Sequence, residues 1–213
     1  LYDTEVKEMV DDLEFNKLEG AWIRTLNFTA NEQILHKQFI DEFIIVKEGV
    51  LHIENNGYQI LRFFTSGDII NQQIAVISED KELQIICDTD VSVVFINREY
   101  FLNFASNKTS YLKWLLNATL TNNKNLYKEL FKNDLPEEER IVTSLKMLCD
   151  KLKVESESGL QKIPSYLNKT KIAKYAGVFR KELNEDISVL IRKELLDQRR
   201  GALYVKNKVT VMK

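Results

Sequence analysis

Residues 167–190 read LNKTKIAKYAGVFRKELNEDISVL, a helix, a tight glycine turn and a second helix. Ile172 and Ala173 supply the apolar side of the first helix, and Ala176-Gly177-Val178 make the bend. In the second helix Leu183, Ile187 and Leu190 recur at four and three residues, the spacing of a buried face. Arg180, Lys181, Asn184 and Glu185 fall on the other side. One face that packs and one face of long polar side chains is the form of a helix presented to a DNA major groove. An ordinary helical hairpin in a core has the same pattern, so the flanking sequence decides between the two.

Downstream, Ile191–Leu196 continue the second helix, and Gln198–Lys206 read as two short strands around Gly201. A helix-turn-helix followed by such a hairpin is a winged helix. Upstream, Glu155–Gly159 is polar and loop-like. Before it, a helix that buries Ile141, Leu145, Leu148 and Leu152 starts after a break at Asn133–Glu137. Asp134 suits the N-cap of that helix, Pro136 its first turn and Glu137 the reciprocal position of a capping box. The chain has a net charge of -2, unevenly spread: residues 136–213 carry 17 Lys or Arg against 11 Asp or Glu, and residues 1–135 carry 13 against 21. Within 167–213 the balance is 12 basic to 5 acidic. Two modules of opposite sign follow, the C-terminal one suited to a polyanion.

Residues 110–132 hold neither Gly nor Pro and form the longest helical candidate, roughly 33 Å from end to end. Leu112, Leu116, Thr119, Asn123, Leu126 and Leu130 step along it by four and three, a heptad seam. Such a seam needs a cover. A second copy of the chain supplies one in a parallel homodimer, and the chain's own N-terminal module is the alternative.

The N-terminal module opens with an acidic amphipathic helix within 2–19, marked by Val6, Met9, Val10 and Leu13. From Ala21 to Ile96 the pattern turns to short β-branched and aromatic runs: 44–46, 50–53, 59–64, 83–87 and 91–96. Asn56-Gly57 is the strongest hairpin signal, with Gly49 and Ser66-Gly67-Asp68 as further turns. Strands at this spacing predict a jelly roll, cupin-like in outline, so the fold class is α+β. With only His36 and His52, the roll lacks the two or three histidines plus carboxylate of a metal-dependent enzyme, and no catalytic constellation or cofactor motif occurs. Cys87 and Cys149 are too few for a structural zinc or an iron–sulfur centre, and a reducing cytoplasm is the simplest compartment. No run is long and apolar enough to span a bilayer. Leu1 rather than Met opens the sequence, which leaves room for native residues before it.

The segments IVKEGVLHI (45–53, with the Asn-Gly hairpin following) and FFTSGDII (63–70) resemble the β-roll sensor of the Crp/Fnr transcription regulators. The order of parts is similar across nearly the whole chain. The resemblance implies a roll at 1–109, a dimerisation helix at 110–133 and a winged helix-turn-helix at 134–213. It also implies a homodimer on double-stranded DNA, with RNA polymerase and an unidentified small effector as further partners. Arg180, Lys181 and Glu185 match the family's base-reading positions, where the best-known pattern is Arg, Glu and Arg. Lys181 thus replaces an acid and Glu185 a base, so the operator should differ, and Asn184 is placed to read adenine. Lys169, Thr170, Lys171, Arg199, Arg200 and Lys206 are the candidates for phosphate contacts. Phe179 has two roles open to it, a thymine methyl or packing against the wing.

The departure lies in the pocket. Nucleotide-binding members hold ribose and phosphate with a Gly-Glu pair and an Arg-Ser pair, whereas 71–82 here read NQQIAVISEDKE, without arginine and with three carboxylates. Members of the listerial PrfA-like branch also lack those anchors. The alternative from another class is a ligand-binding jelly roll whose C-terminal helices grip a protein. Because a phosphate needs a cation or a fan of N–H donors, calorimetric titration with cyclic AMP or cyclic GMP should give no binding heat.

Overall fold

The structure, a computed structural model, describes residues 4–35, 41–55, 59–71 and 83–206. The Asn56-Gly57 turn, His36 and all of the 71–82 stretch except Asn71 lie outside these residues. By internal packing the chain forms two units, Leu1–Gly57 with Phe63–Tyr127 and Tyr58–Arg62 with Lys128–Lys213.

The first unit begins with α1 (Thr4–Asn16), which buries the expected Val6, Met9, Val10 and Leu13. Among the described residues eight strands follow: β1 (Ile23–Phe28), β2 (Gln33–Ile34), β3 (Glu42–Glu48), β4 (Val50–Asn55), β5 (Gln59–Thr65, whose residues up to Arg62 are assigned to the second unit), β6 (Ile69–Ile70), β7 (Leu83–Cys87) and β8 (Val91–Asn97). They make two four-stranded sheets in the orders β1-β8-β3-β6 and β2-β7-β4-β5. Strands β1, β2 and β6 were not apparent as sequence runs. The last two are only two residues long and exist through their ladders with β7 and β3.

Strand β3 is apolar on both faces because both are covered. Phe43 and Ile45 join Val94, Ile96, Ile23 and Ile69 in a core completed by α1 and by Tyr100, Phe101 and Ala105. Strand alternation turns Ile44 and Val46 the other way, where they are fully buried too. Between β3 and β4 the backbone turns at Gly49 with φ +90, where an added Cβ would lie 2.2 Å from the Asp90 carbonyl oxygen. Only glycine fits there. His52 is buried, its Nδ1 2.7 Å from Asp88 Oδ2 and its Nε2 3.4 Å from Glu54 Oε2, so it is a packed histidine among acids.

Two helices close the unit: α2 (Arg98–Ala105), with Asn97 accepting from the Tyr100 N–H as N-cap, and the start of α3 (Thr109–Asn133). Trp114, Leu115 and Ala118 of α3 pack on the α1–β3–β8 core. Tyr111 donates to Asp12 at 2.6 Å and Lys108 pairs with the same carboxylate, which holds the Asp12 carboxyl below its usual range.

The second unit holds the end of α3, then α4 (Glu137–Lys151), β9 (Ser156–Glu157), β10 (Leu160–Lys162), α5 (Lys169–Ala176), α6 (Leu183–Arg192), β11 (Leu196–Arg199) and β12 (Ala202–Lys206). Four expectations change here. Asp134 does not cap α4: its N–H and that of Leu135 bond back to Phe131 and Lys132 as the closing turn of α3. Pro136 is the N-cap, without a side-chain bond, and Glu137 is the first helical residue rather than a capping-box partner. Leu152 lies past the end of α4 and is only half-buried. The second helix of the pair ends at Arg192, and Leu196 belongs to β11. The Glu155–Gly159 loop contains β9 and a two-residue turn at Ser158 and Gly159, both with positive φ, the type that suits a hairpin. Together the strands form a four-stranded sheet, β11-β12-β10-β9.

Helices α4, α5 and α6 stop by one device, a left-handed residue that lets a following N–H reach back five positions. Those residues are Lys153, Gly177 and Glu194, and the bonds are Val154 to Cys149, Val178 to Ala173 and Leu195 to Leu190.

Candidate nucleic-acid interface

Helix α6 is two-sided, with Leu183, Ile187 and Leu190 buried and Asn184, Glu185 and Ser188 exposed. Arg180 and Lys181 were expected on this helix, but they precede it, in the turn from Gly177 to Glu182, and both are exposed. The apolar spacing extrapolates a turn too far back. Leu183 N–H does bond to the Phe179 carbonyl at 3.0 Å, but the next N–H bonds into the helix start at Glu182, from Glu185 and Asp186. Phe179, in the same turn, is 76 % exposed.

The six expected phosphate contacts divide between two places. Lys169, Thr170 and Lys171 form the first turn of α5, where the Asn168 side chain caps by accepting from the Lys171 N–H at 3.0 Å. Arg199, Arg200 and Lys206 lie on the β11–β12 hairpin. Arg200 and Gly201 form its two-residue turn with positive φ at both. Arg199 pairs with Asp197 at 2.8 Å, and Lys206 is half-buried at the end of β12. One pairing crosses the two expected groups: Lys169 Nζ donates to Asn184 Oδ1 at 2.6 Å. With its oxygen so engaged, the Asn184 amide offers outward chiefly its NH2 donors.

A cluster behind this face escaped sequence reasoning. The end of α5 leaves carbonyls without helical partners, and two cations meet them. Lys132, 2 % exposed in the last turn of α3, donates to the Tyr175 carbonyl at 2.8 Å. Its ammonium also lies 2.6 Å from Glu129 and 3.6 Å from the Tyr175 ring centroid. The Tyr175 hydroxyl donates to Glu129 at 2.6 Å. Arg140 of α4 donates to the carbonyls of Ala176 at 2.7 Å, Gly177 at 3.2 Å and Leu135 at 3.3 Å. Burial lowers the Lys132 pKa, with Glu129 opposing, and burial together with Glu129 raises that of Tyr175 well above 10, which keeps the phenol a donor. A lysine in the last turn of a helix usually reads as a surface charge on the dipole, so no sequence signal set Lys132 apart.

The expected seam of α3 is uncovered in the single chain: Leu112, Leu116, Thr119, Asn123, Leu126 and Leu130 are all exposed, as are Leu120 and Tyr127. Among the described residues no group of three or more His, Cys, Asp or Glu could hold a metal ion, and no helix is long and apolar enough to cross a membrane.

Residues 25–108 match the family model of the cyclic nucleotide-binding domain. No curated protein matches the sequence. Among solved structures, a cyclic nucleotide-binding domain-containing protein of Listeria monocytogenes is similar over 95 % of this chain and 98 % of its own, at 18 % identity and a TM-score of 0.78. The c-di-GMP responsive global regulator CLP of Xanthomonas campestris is similar over 94 % of this chain and 100 % of its own, at 14 % and 0.71. A crp/fnr-family regulator of Eubacterium rectale is similar over 97 % and 92 %, at 14 % and 0.62.

Breaking a buried ion pair costs about 3–5 kcal/mol. Lys132→Met should therefore lower the unfolding free energy by about 3 kcal/mol, while Tyr175→Phe, which removes one charged hydrogen bond, should cost about 1–3 kcal/mol; urea titration of the full chain measures both. Residues 25–108 thus match the cyclic nucleotide-binding domain family, and the chain has the fold of solved structures that include a crp/fnr-family regulator.

Proposed function

We propose that this chain is a sequence-specific DNA-binding transcription regulator of the Crp/Fnr type, a homodimer on a two-fold operator that is not controlled by a cyclic nucleotide. The observation that carries the reading is the division of α6 and its leading turn. Three leucine and isoleucine side chains face the core while Arg180, Lys181, Asn184 and Glu185 stand in solvent. Helices α5 and α6 with the β11–β12 hairpin then act as a winged helix-turn-helix spanning 134–213, after a sensor roll at 1–109 and a dimerisation helix at 110–133.

Arg180 has the bidentate geometry for guanine O6 and N7, Lys181 favours guanine or a phosphate, and Glu185 accepts from cytosine N4. Asn184, whose oxygen is held by Lys169, suits an acceptor such as guanine or thymine O4 better than adenine. Lys169, Thr170, Lys171, Arg199, Arg200 and Lys206 set register and affinity on the backbone. The exposed leucines of α3, among them Leu116 at 58 % and Leu126 at 50 %, find their cover in the same helix of a second copy. The arginine-free stretch at 71–82 supports control by something other than a cyclic nucleotide. CLP, which has this fold, responds to cyclic di-GMP. RNA polymerase and a small effector in the cytoplasm complete the set of partners.

Selection from a random duplex pool tests the reading: a two-fold sequence should enrich, and none would if the C-terminal helices grip a protein. On the selected site Arg180→Ala should cost about 1–3 kcal/mol and relax one position, whereas Lys171→Ala should weaken all sequences alike and flatten the salt slope. Leu116→Glu with Leu126→Glu should convert the dimer to a monomer on a sizing column.

A further inference from the structure

We propose that Phe179 is a specificity-determining residue of the DNA reader, its ring contacting the C5 methyl of a thymine in the major groove. The inference rests on the DNA-binding reading above. An aromatic ring that is 76 % exposed forgoes the burial its surface favours, while its neighbour Val178 is half-buried. The ring is displayed by a backbone that is tied on both sides. Gly177 and Val178 donate to the Ala173 carbonyl, Arg140 holds the carbonyls of Ala176 and Gly177, and the Phe179 carbonyl itself accepts from Leu183.

The position is also the right one. Phe179 directly precedes Arg180 and Lys181 and leads into the helix turn that exposes Asn184 and Glu185. The polar side chains around it can all read hydrogen-bonding edges; a phenyl ring cannot. Among the groups a base pair shows in the major groove, the thymine methyl is the apolar one. Phe179 therefore supplies the contact that the four polar readers lack.

The test uses the full chain and the half-site it selects. Replacing each thymine in turn by uracil removes one methyl and leaves pairing and the O4 acceptor intact. With the wild-type chain one position should lose about three- to fivefold in affinity, the scale of one methyl group taken from contact. With Phe179→Ala that position should lose nothing, and Phe179→Leu should restore part of the discrimination. Since the side chain is exposed, the melting temperature of both variants should stay at the wild-type value, which separates a lost contact from a lost fold. If no duplex enriches, the DNA-binding reading falls and this inference with it. If a half-site enriches but its uracil scan is flat, contains no thymine, or shows the same loss in Phe179→Ala, the inference alone is overturned.

Discussion

An eight-residue helix cannot satisfy its own last carbonyls, and at the end of α5 this deficit is met by cations from two other helices. Lys132 from α3 takes the Tyr175 carbonyl, and Arg140 from α4 takes those of Ala176 and Gly177. The same two side chains thereby hold the turn from which Phe179, Arg180 and Lys181 project. A buried ammonium is costly unless it is fully partnered, and Glu129, the Tyr175 carbonyl and the Tyr175 ring partner this one. The cost of burying Lys132 is what makes the joint specific: moving α5 relative to the end of α3 would leave a charge without its acceptors. Helix α3 runs unbroken from Thr109 to Asn133, so the segment that bears the exposed leucine seam ends inside this joint.

The roll depends on a different constraint, the burial of β3 and β8 on both faces. That demand is visible in the sequence as apolar runs, which is why β3 and β8 could be located, while β4, β5 and β7 showed as β-branched or aromatic runs between turn residues. Strands β2 and β6 could not, because two residues carry no period and owe their conformation to neighbours far along the chain. The β1 run Ile23–Phe28 is broken by Arg24, Thr25 and Asn27, which fit no strict alternation, and has a weaker β-branched content. At Gly49 the requirement is steric and local, but its cause, the Asp90 carbonyl, is some forty residues away.

The α5–α6 helix pair was legible in its buried half. Leu183, Ile187 and Leu190 follow helical spacing, and the structure buries all three. The exposed half was less so, since spacing cannot tell a helical turn from the tied turn that precedes it, and Arg180 and Lys181 sit in the latter. The Lys169–Asn184 bond joins residues fifteen apart on different helices. Lys132 was illegible for a related reason: its burial comes from α5 covering it, and nothing in the local sequence of α3 records that. Glu155–Gly159 looked like a loop because its residues are mostly polar, yet Ser156–Glu157 pairs with Leu160–Lys162 across a turn in which Ser158 and Gly159 both have positive φ.

That small hairpin changes what the β11–β12 arm is. An isolated two-stranded ribbon is marginally stable and samples many shapes. Here β12 is bonded on its other edge to β10, with Leu160, Gln161 and Lys162 opposite Lys206, Val205 and Tyr204, and β10 in turn to β9. The arm that carries Arg199 and Arg200 is therefore the outer part of a four-stranded sheet, with Val205 and Leu196 buried beneath it. Ordering a backbone residue costs about 1–2 kcal/mol, and for this arm the loss is taken once, during folding. A partner that closes on the Arg200-Gly201 tip meets a backbone whose conformational entropy has already been spent, and the strength of that contact reflects the contact alone.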